Sequence, residues 1–584
     1  MSRRSRIRSA AAALDRRTFL TATGAVGAAT GLGLAFGPGG GSATASPTAA
    51  PGAAESIGAA AARKAPAVPA APSPKGTTLA TVAAPRGSGP YRRLGDGPGW
   101  PRQTRTELAA AKKGRADRRT TVASFVQFTD LHLTDVQHPL RYEFFRAGNT
   151  GSWRPHEALT MPGVVSLIER VNALRTGPAT GSPLSFVMTT GDNGDNNSRA
   201  ELDWFLTAMS GGRITPNTGH PTHYEGVQNS GLKLFWNPES TLRDADKQQG
   251  FPHLPGYLAA ATRTVNSPGL AVPWYSTYGN HDGLSGGCYP GVGSFIADVA
   301  TGNRKLQIIG AAEAKRIIDG EAGGVDPKGK RIEELLRAHR KDMRTITPDP
   351  RRAATTTRDY LAAHLDPAHT GAGPVGHGYG KDNLDAGTLY YSFKISDRVI
   401  GISLDSTDPG GHYQGSLGTA QLRWLERTLT EHKDQYALVF SHHASWSMNN
   451  ATPDPARPRE ARHQGDELIA VLRRHRNVLA WINGHSHRNK IVPRGTFWEV
   501  STASHVDYPQ LARVIEVTDN HDGTVSLFTT LIESAAPHRT DFHDLSQTGL
   551  AALYRELAFN APGGSTDLAG QAGDRNTELL LPRR

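Results

Sequence analysis

Cysteine is nearly absent. Cys288 stands alone among 584 residues, so an intramolecular disulfide is excluded, and with it a structural zinc site closed by several thiolates. The first 45 residues contain none, so no lipid-bearing cysteine follows the leader described below. Cys288 itself reads as a small side chain without a chemical role. Long apolar runs are missing too: Thr21 to Phe36 is too short and too rich in glycine to span a bilayer, and no later run is longer. There is no internal repeat. No block of basic residues is interleaved with aromatics, which argues against stable nucleic-acid binding. The net charge is +11, but residues 1–45 hold six Arg against one Asp and so carry nearly half of it.

What remains is 37% hydrophobic and 20% charged. That composition suits a soluble globular protein with some low-complexity sequence and room for more than one domain. The chain starts with a basic segment and Asp15-Arg16-Arg17-Thr18-Phe19-Leu20, then a Gly/Ala-rich apolar stretch, then the small residues Ala43-Thr44-Ala45. This is the layout of a signal peptide, and the Arg pair followed by Phe-Leu resembles a twin-arginine signal. The expectation is a signal over residues 1–45, read by the twin-arginine export machinery. The mature protein would then be extracellular or associated with the cell envelope, without a transmembrane anchor. Residues 46–85 are rich in Ala, Pro, Gly and Ser and read as a disordered linker.

Beyond the linker, five short polar motifs each stand where an apolar, β-prone run stops. Val122 to Thr129 ends at Asp130-Leu131-His132. Leu184 to Met188 runs into Gly191-Asp192-Asn193-Gly194-Asp195. Val272 to Tyr278 ends at Gly279-Asn280-His281-Asp282. Tyr436 to Phe440 ends at Ser441-His442-His443, and Val478 to Ile482 at Gly484-His485-Ser486-His487. Helical spacing of apolar residues follows the first strand, from Val164 to Leu174. Strand–helix–strand order implies an α/β layered domain, with ligands gathering beyond the carboxyl ends of its strands. The domain is expected over 86–535, with insertions at about 196–270 and 283–386. Residues 536–584 read as a C-terminal extension holding one helix, Leu550 to Leu557.

The motifs supply carboxylates, an amide and imidazoles without thiolates. That is the donor set for two divalent cations roughly 3.5–4 Å apart, which activate water and stabilise a phosphoryl displacement. Any one motif is weak evidence; Gly-Asp alone is a common turn. Five in one chain, each closing a strand, point to one convergent site. Of the adjacent His442 and His443, one is expected to face the metals and the other to support it.

The set Asp130-x-His132, Gly191-Asp192-x-x-Asp195, Gly279-Asn280-His281-Asp282, His442 and Gly484-His485-x-His487 resembles the calcineurin-like metallophosphoesterases. The resemblance spans roughly residues 120–535 and implies a four-layer α/β/β/α sandwich with long capping insertions. It places Asp130, His132 and His487 on one metal, Asn280, His442 and His485 on the other, and Asp192 between them. It sets His281 toward the substrate phosphate, with Asp282 expected to hold or charge it as the second catalytic residue, and leaves Asp195 outside the ligand shell. The metals would be two divalent ions, Mn, Fe, Zn or Co. The family's purple acid phosphatases carry a tyrosine in the second motif; Asn193-Gly194-Asp195 has none, which disfavours an iron–tyrosinate centre. The implied activity is an exported phosphoesterase that opens phosphomonoesters or phosphodiesters by in-line attack of metal-activated water on a small-molecule or nucleotide substrate. Alternatives are a nucleotidase or pyrophosphatase of the same fold, or a non-catalytic cell-envelope binding protein.

Overall fold

The strand that leads to the first motif is apolar on both faces, so both must be covered. A computed structural model describes residues 68–290, 294–321, 329–410 and 413–583. The expected signal and the first part of the linker lie outside the described residues. Two mixed sheets organise the chain. Their strands begin with β1 (Gln103–Arg105), β2 (Thr120–Phe128), β3 (Val187–Thr190) and β4 (Trp274–Thr277). Next come β5 (Tyr391–Ser396), β6 (Val399–Ser403), β7 (Tyr436–Phe440), β8 (Val478–Asn483), β9 (Lys490–Pro493) and β10 (Trp498–Ser501). The last three are β11 (Ala512–Asp519), β12 (Thr524–Ile532) and β13 (Thr577–Pro582). The seven-stranded sheet has the order β1-β13-β12-β11-β2-β3-β4, and the six-stranded sheet β5-β6-β7-β8-β10-β9.

Side chains alternate between the faces of each strand, and the two faces enter different cores. Phe125 of β2 and Leu438 and Phe440 of β7 share one apolar cluster between the sheets. Phe125 and Phe440 meet edge to face at 5.8 Å, and both are fully buried. Burial of each such ring contributes about 1.5–3 kcal/mol. Val126 and Phe128 point the other way, into a cluster with Val164, Leu167 and Phe205. Those residues come from helices α1 (Thr160–Leu174) and α2 (Arg199–Ser210). Ala437 and Val439 likewise pack with Leu425, Leu429 and Leu468, from α3 (Thr419–Glu431) and α4 (Gly465–Arg474). Helices therefore pack against one face of each sheet, and side chains from both sheets share one apolar cluster.

Strand register is what brings the motifs together. β2, β3 and β4 are parallel neighbours, with Phe128 beside Thr189 and Thr190 beside Thr277. β7 and β8 are parallel neighbours, with Phe440 beside Ile482. The carboxyl ends of these five strands thus open at one rim.

Three boundaries differ from those expected. Residues Thr81–Arg86, inside the supposed linker, form a strand paired with Arg93–Pro98. The supposed extension is integral to the domain: β13 pairs with β12, and α5 (Gln547–Asn560) packs Tyr554 against Gly163 of α1. The 196–270 segment, expected only as an insertion, contains α2, whose first turn is capped by Ser198 accepting from the Glu201 N–H. Long-range pairing, not local propensity, fixes the two strands; α2 carries its own local signals, a Ser198 cap and apolar residues at helical spacing.

Candidate metal centre

All seven expected ligand residues converge at the rim, and all follow directly from a strand end. Asp192 sits at the middle. Its Oδ2 lies 3.2 Å from His442 Nε2 and 3.5 Å from His132 Nε2. On one side, His442 Nε2, His485 Nδ1 and Asn280 Oδ1 lie 2.9–3.1 Å from one another. On the other, His487 Nε2 lies 3.3 Å from His132 Nε2 and 3.4 Å from Asp130 Oδ1. These are two clusters of lone-pair donors joined by one carboxylate. Among the described residues, four His/Asp triads have the spacing to hold a metal ion, drawn from six of these residues together with His281 and His443.

Three of the imidazoles are anchored by their far nitrogen. His132 Nδ1 donates to Asp195 Oδ1 at 2.8 Å, His442 Nδ1 to the Thr190 carbonyl at 2.9 Å and His487 Nδ1 to Asp507 Oδ2 at 2.7 Å. In the neutral ring, a nitrogen that donates outward leaves its partner free to ligate and aimed inward, which is how metal-ligating histidines are held. Asn280 is oriented in the same way, its amide donating to the Gly287 carbonyl at 3.0 Å so that Oδ1 faces inward. The donors fit a pair of divalent cations: hard oxygens and imidazoles, buried.

The backbone bends to make this possible. Asp130, His132, Asp192, His485 and His487 all have φ between 45° and 61°. Each such non-glycine residue costs on the order of 1–3 kcal/mol. Cross-motif hydrogen bonds hold them there. The Asp130 N–H donates to Gly191 O at 3.1 Å, the His132 N–H to Asp192 O at 3.0 Å and the Gly484 N–H to His442 O at 2.9 Å. The His485 N–H donates to the Asp130 carboxylate at 3.1 Å.

At the centre, carboxylates and imidazoles stabilise each other's charged forms. Burial works to raise the pKa of Asp192, but His442 and His281 pull it well below the usual carboxylate range. Burial likewise works against ionisation of Asp195, and Arg141 and His132 overcome it. Burial pushes the His442 imidazole down, yet Asp192 and Asp130 lift it to about 9.

His281 lines the same cavity, a space of about 240 Å³ that also exposes His132, His485 and His487. Its Nδ1 donates to the Asp195 carbonyl at 2.9 Å and lies 3.2 Å from Asp195 Oδ1. Asp282 does not touch the ring. Its carboxylate accepts the N–H groups of Gly279 at 2.9 Å, Asn193 at 3.0 Å and Gly194 at 3.1 Å. The expectation that Asp282 holds or charges His281 is therefore corrected: Asp282 staples two motifs together, and Asp195 holds His281. Chain adjacency misled, because the short helix Asn280–Gly283 turns the two side chains apart. His443 has both nitrogens engaged, Nδ1 with Ser406 Oγ and Nε2 with the Tyr413 carbonyl, each at 2.9 Å. It supports the site rather than facing it, stacking beside His485 at 4.4 Å between ring centroids.

Sequence reasoning missed two arginines of the cavity wall. Arg141 bridges Asp195 and Glu157. Arg154 pairs with Asp507 at 2.8 Å. Both lie between the first strand and α1, outside any motif, and only the fold shows their partners.

Comparison with known proteins finds similarity at a low level. No family model matches the chain. Over 77 residues it is 34% identical to a manganese-dependent ADP-ribose/CDP-alcohol diphosphatase of Danio rerio, covering 13% of this chain and 22% of that protein. The chain thus spans about a fifth of the length of the curated relative it matches. A dimetal phosphatase structure from Danio rerio aligns with 71% of this chain and all of its own, at 12% identity and a TM-score of 0.34. A putative 5'-nucleotidase from Staphylococcus aureus aligns with 74% of this chain and 58% of its own, at 13% identity and a TM-score of 0.28. A purple acid phosphatase from yellow lupin seeds aligns with 75% and 53%, at 10% identity and a TM-score of 0.25. Such loose superpositions add nothing to the fold read directly from the sheets.

Proposed function

We propose that the protein is a metal-dependent phosphoric ester hydrolase with a dinuclear centre, built on a four-layer α/β/β/α metallophosphoesterase sandwich and exported after folding. The observation that carries this reading is Asp192 Oδ2, poised between two separate donor clusters. Asp130, His132 and His487 would hold one metal, Asn280, His442 and His485 the other, with Asp192 shared. Bound there, two divalent ions supply an activated water and charge neutralisation for in-line phosphoryl transfer.

The chain's own residues do the rest. Asp195 fixes His132 and His281 together, so ligand geometry and the cavity imidazole are set by one side chain. With Nδ1 committed to the Asp195 carbonyl, His281 has only Nε2 to offer a substrate. It can donate there to a phosphoryl oxygen or protonate a departing alkoxide. Burial works against its protonated form, but Asp192 and Asp195 raise its pKa above the ordinary imidazole value, which keeps that proton available. The relative named above acts on diphosphates, and cleavage of a diphosphate link is the second reading within the same chemistry.

The test is direct. Purified protein should carry close to two divalent ions per chain, lose activity to a strong chelator and regain it with manganese. A panel of mono- and diesters then defines the substrate class. Full turnover by a metal-free preparation contradicts the proposal. Intact metal content without turnover on any ester favours a binding protein instead.

A further inference from the structure

One cation of the cavity wall has donor capacity to spare. Arg154 lines the same space as His132, His281 and His487, and its side chain is 14% exposed. Asp507 occupies one edge of the guanidinium, accepting from Nε at 2.8 Å and from Nη2 at 3.2 Å. Among the described residues, no hydrogen bond engages Nη1, so the end of the fork made by Nη1 and the second Nη2 hydrogen has donors left for a ligand. Arg141, the neighbouring guanidinium, is not available in this way, because Asp195, Glu157 and Glu143 surround it.

Arg154 is also placed close to the chemistry. Of the two Asp507 oxygens that it contacts, Oδ2 also anchors His487 Nδ1. The free edge of the guanidinium therefore lies one carboxylate away from an imidazole of the metal centre. A rigid guanidinium edge is suited to the planar, bidentate recognition of a phosphate. Neutralised on one side by Asp507, it is held still without losing its remaining donors.

We propose that Arg154 forms a subsite for a second phosphate, so that the cavity favours substrates with two linked phosphates, diphosphate-bridged esters, over simple monoesters. The inference rests on the phosphoesterase proposal and refines its substrate class. The reaction stays a hydrolysis: water adds to one phosphorus, the bond to the bridging oxygen breaks, and that oxygen leaves on the second phosphate, which Arg154 holds.

The experiment uses the full metal-loaded chain and two non-reacting probes, inorganic phosphate and methylenediphosphonate, with affinities measured by calorimetry. Arg154→Gln should weaken methylenediphosphonate on the order of 10- to 100-fold, the range for hydrogen bonds to a charged group, and phosphate far less, with metal content intact. Arg154→Lys keeps the charge without the fork and should fall between; it also serves if the Gln variant folds poorly. Equal weakening of both probes would overturn the subsite and leave Arg154 as a positioning residue for His487 through Asp507. Unchanged affinities for both would overturn it as well. A wild type that discriminates the probes but hydrolyses no phosphate ester would instead sink the phosphoesterase proposal and leave the subsite standing.

Discussion

Replacing His281 with alanine separates its chemical role from its structural one. The ring is 8% exposed, touches the Asp195 carbonyl at 2.9 Å and packs edge-on to His132 at 4.4 Å. Its removal leaves the Asp195 carboxylate still held by His132 and Arg141, so the seven donors keep their anchors. Metal content should stay at the wild-type level. Proton donation to a leaving group is typically worth about 10²–10⁴-fold, or roughly 3–5 kcal/mol at 1.36 kcal/mol per tenfold. That loss applies to an alkyl phosphate, whose alkoxide must be protonated as it leaves. Nitrophenolate leaves without a proton, so its ester should lose much less. The assay is kcat/KM for both esters in wild type and His281→Ala, with metals quantified in the same preparations. Asp282→Ala is the control: it strands three backbone N–H groups, so it should lower Tm without changing the ratio between the esters. Equal losses on both esters with His281→Ala, at full metal content, refute the acid role.

Asp192→Asn should lower occupancy of both metals together, whereas Asn280→Ala should lower chiefly one; titration with manganese while counting bound ions distinguishes the two patterns. Four buried histidines should each withdraw stability in mild acid. His138, His364, His377 and His505 are buried, and burial depresses their pKa values to about 4, about 3, about 4 and about 4. The unfolded chain takes up these protons near pH 6.5 while the folded one does not, so stability present above pH 6.5 is lost progressively toward pH 4. Buried Glu143 and Glu201, whose pKa values burial raises to about 7 and about 8, act in the opposite direction, so the check is made on one histidine: the Tm gap between wild type and His364→Gln should narrow from pH 7.5 to 5.5, and a gap that stays constant refutes this. For export, Arg16→Lys with Arg17→Lys should retain folded, active protein in the cytoplasm, and undiminished secretion of that variant rules out the twin-arginine route.

The rim of the site was legible in the sequence because strand ends are. Each apolar run stops abruptly at glycine, carboxylate or histidine, and the structure puts those stops at the carboxyl ends of β2, β3, β4, β7 and β8. Burial on both faces made these strands read as continuous apolar segments, so their existence could be read although Val187–Thr190 lies a few residues beyond the run that announced it. What lies behind the rim was not legible. Arg141 and Arg154 carry no spacing signal, since their roles depend on pairs 54 and 353 residues apart. β13 was missed for a similar reason: Thr577–Pro582 is short, and its place in the sheet is set by β12. The orientation of Asp282 depends on φ and ψ through four residues, which spacing alone does not encode.

The glycines of the motifs show why ligand and glycine recur together. A methyl group built on Gly484 would strike Thr129 Oγ1 and the Asp130 carboxylate. One on Gly279 would strike the Asp192 N–H and its Oδ1, and one on Gly191 would strike His442 Nδ1 and the backbone of Gly279. Each glycine thus lies against a ligand, or the anchor of a ligand, supplied by a different strand. Of the three, only Gly191 has a φ in the left-handed region, at 86°. For Gly279 and Gly484 the requirement is therefore closeness rather than turn freedom. The left-handed positions fall instead on Asp130, His132, Asp192, His485 and His487, where glycine would be easier for the backbone but has nothing to offer a cation. Strain is placed on the residues whose side chains are needed, and absence of a side chain on the residues that must let them close. The packed layers beneath hold both in place. Two donor clusters can then sit close enough for Asp192 to serve both.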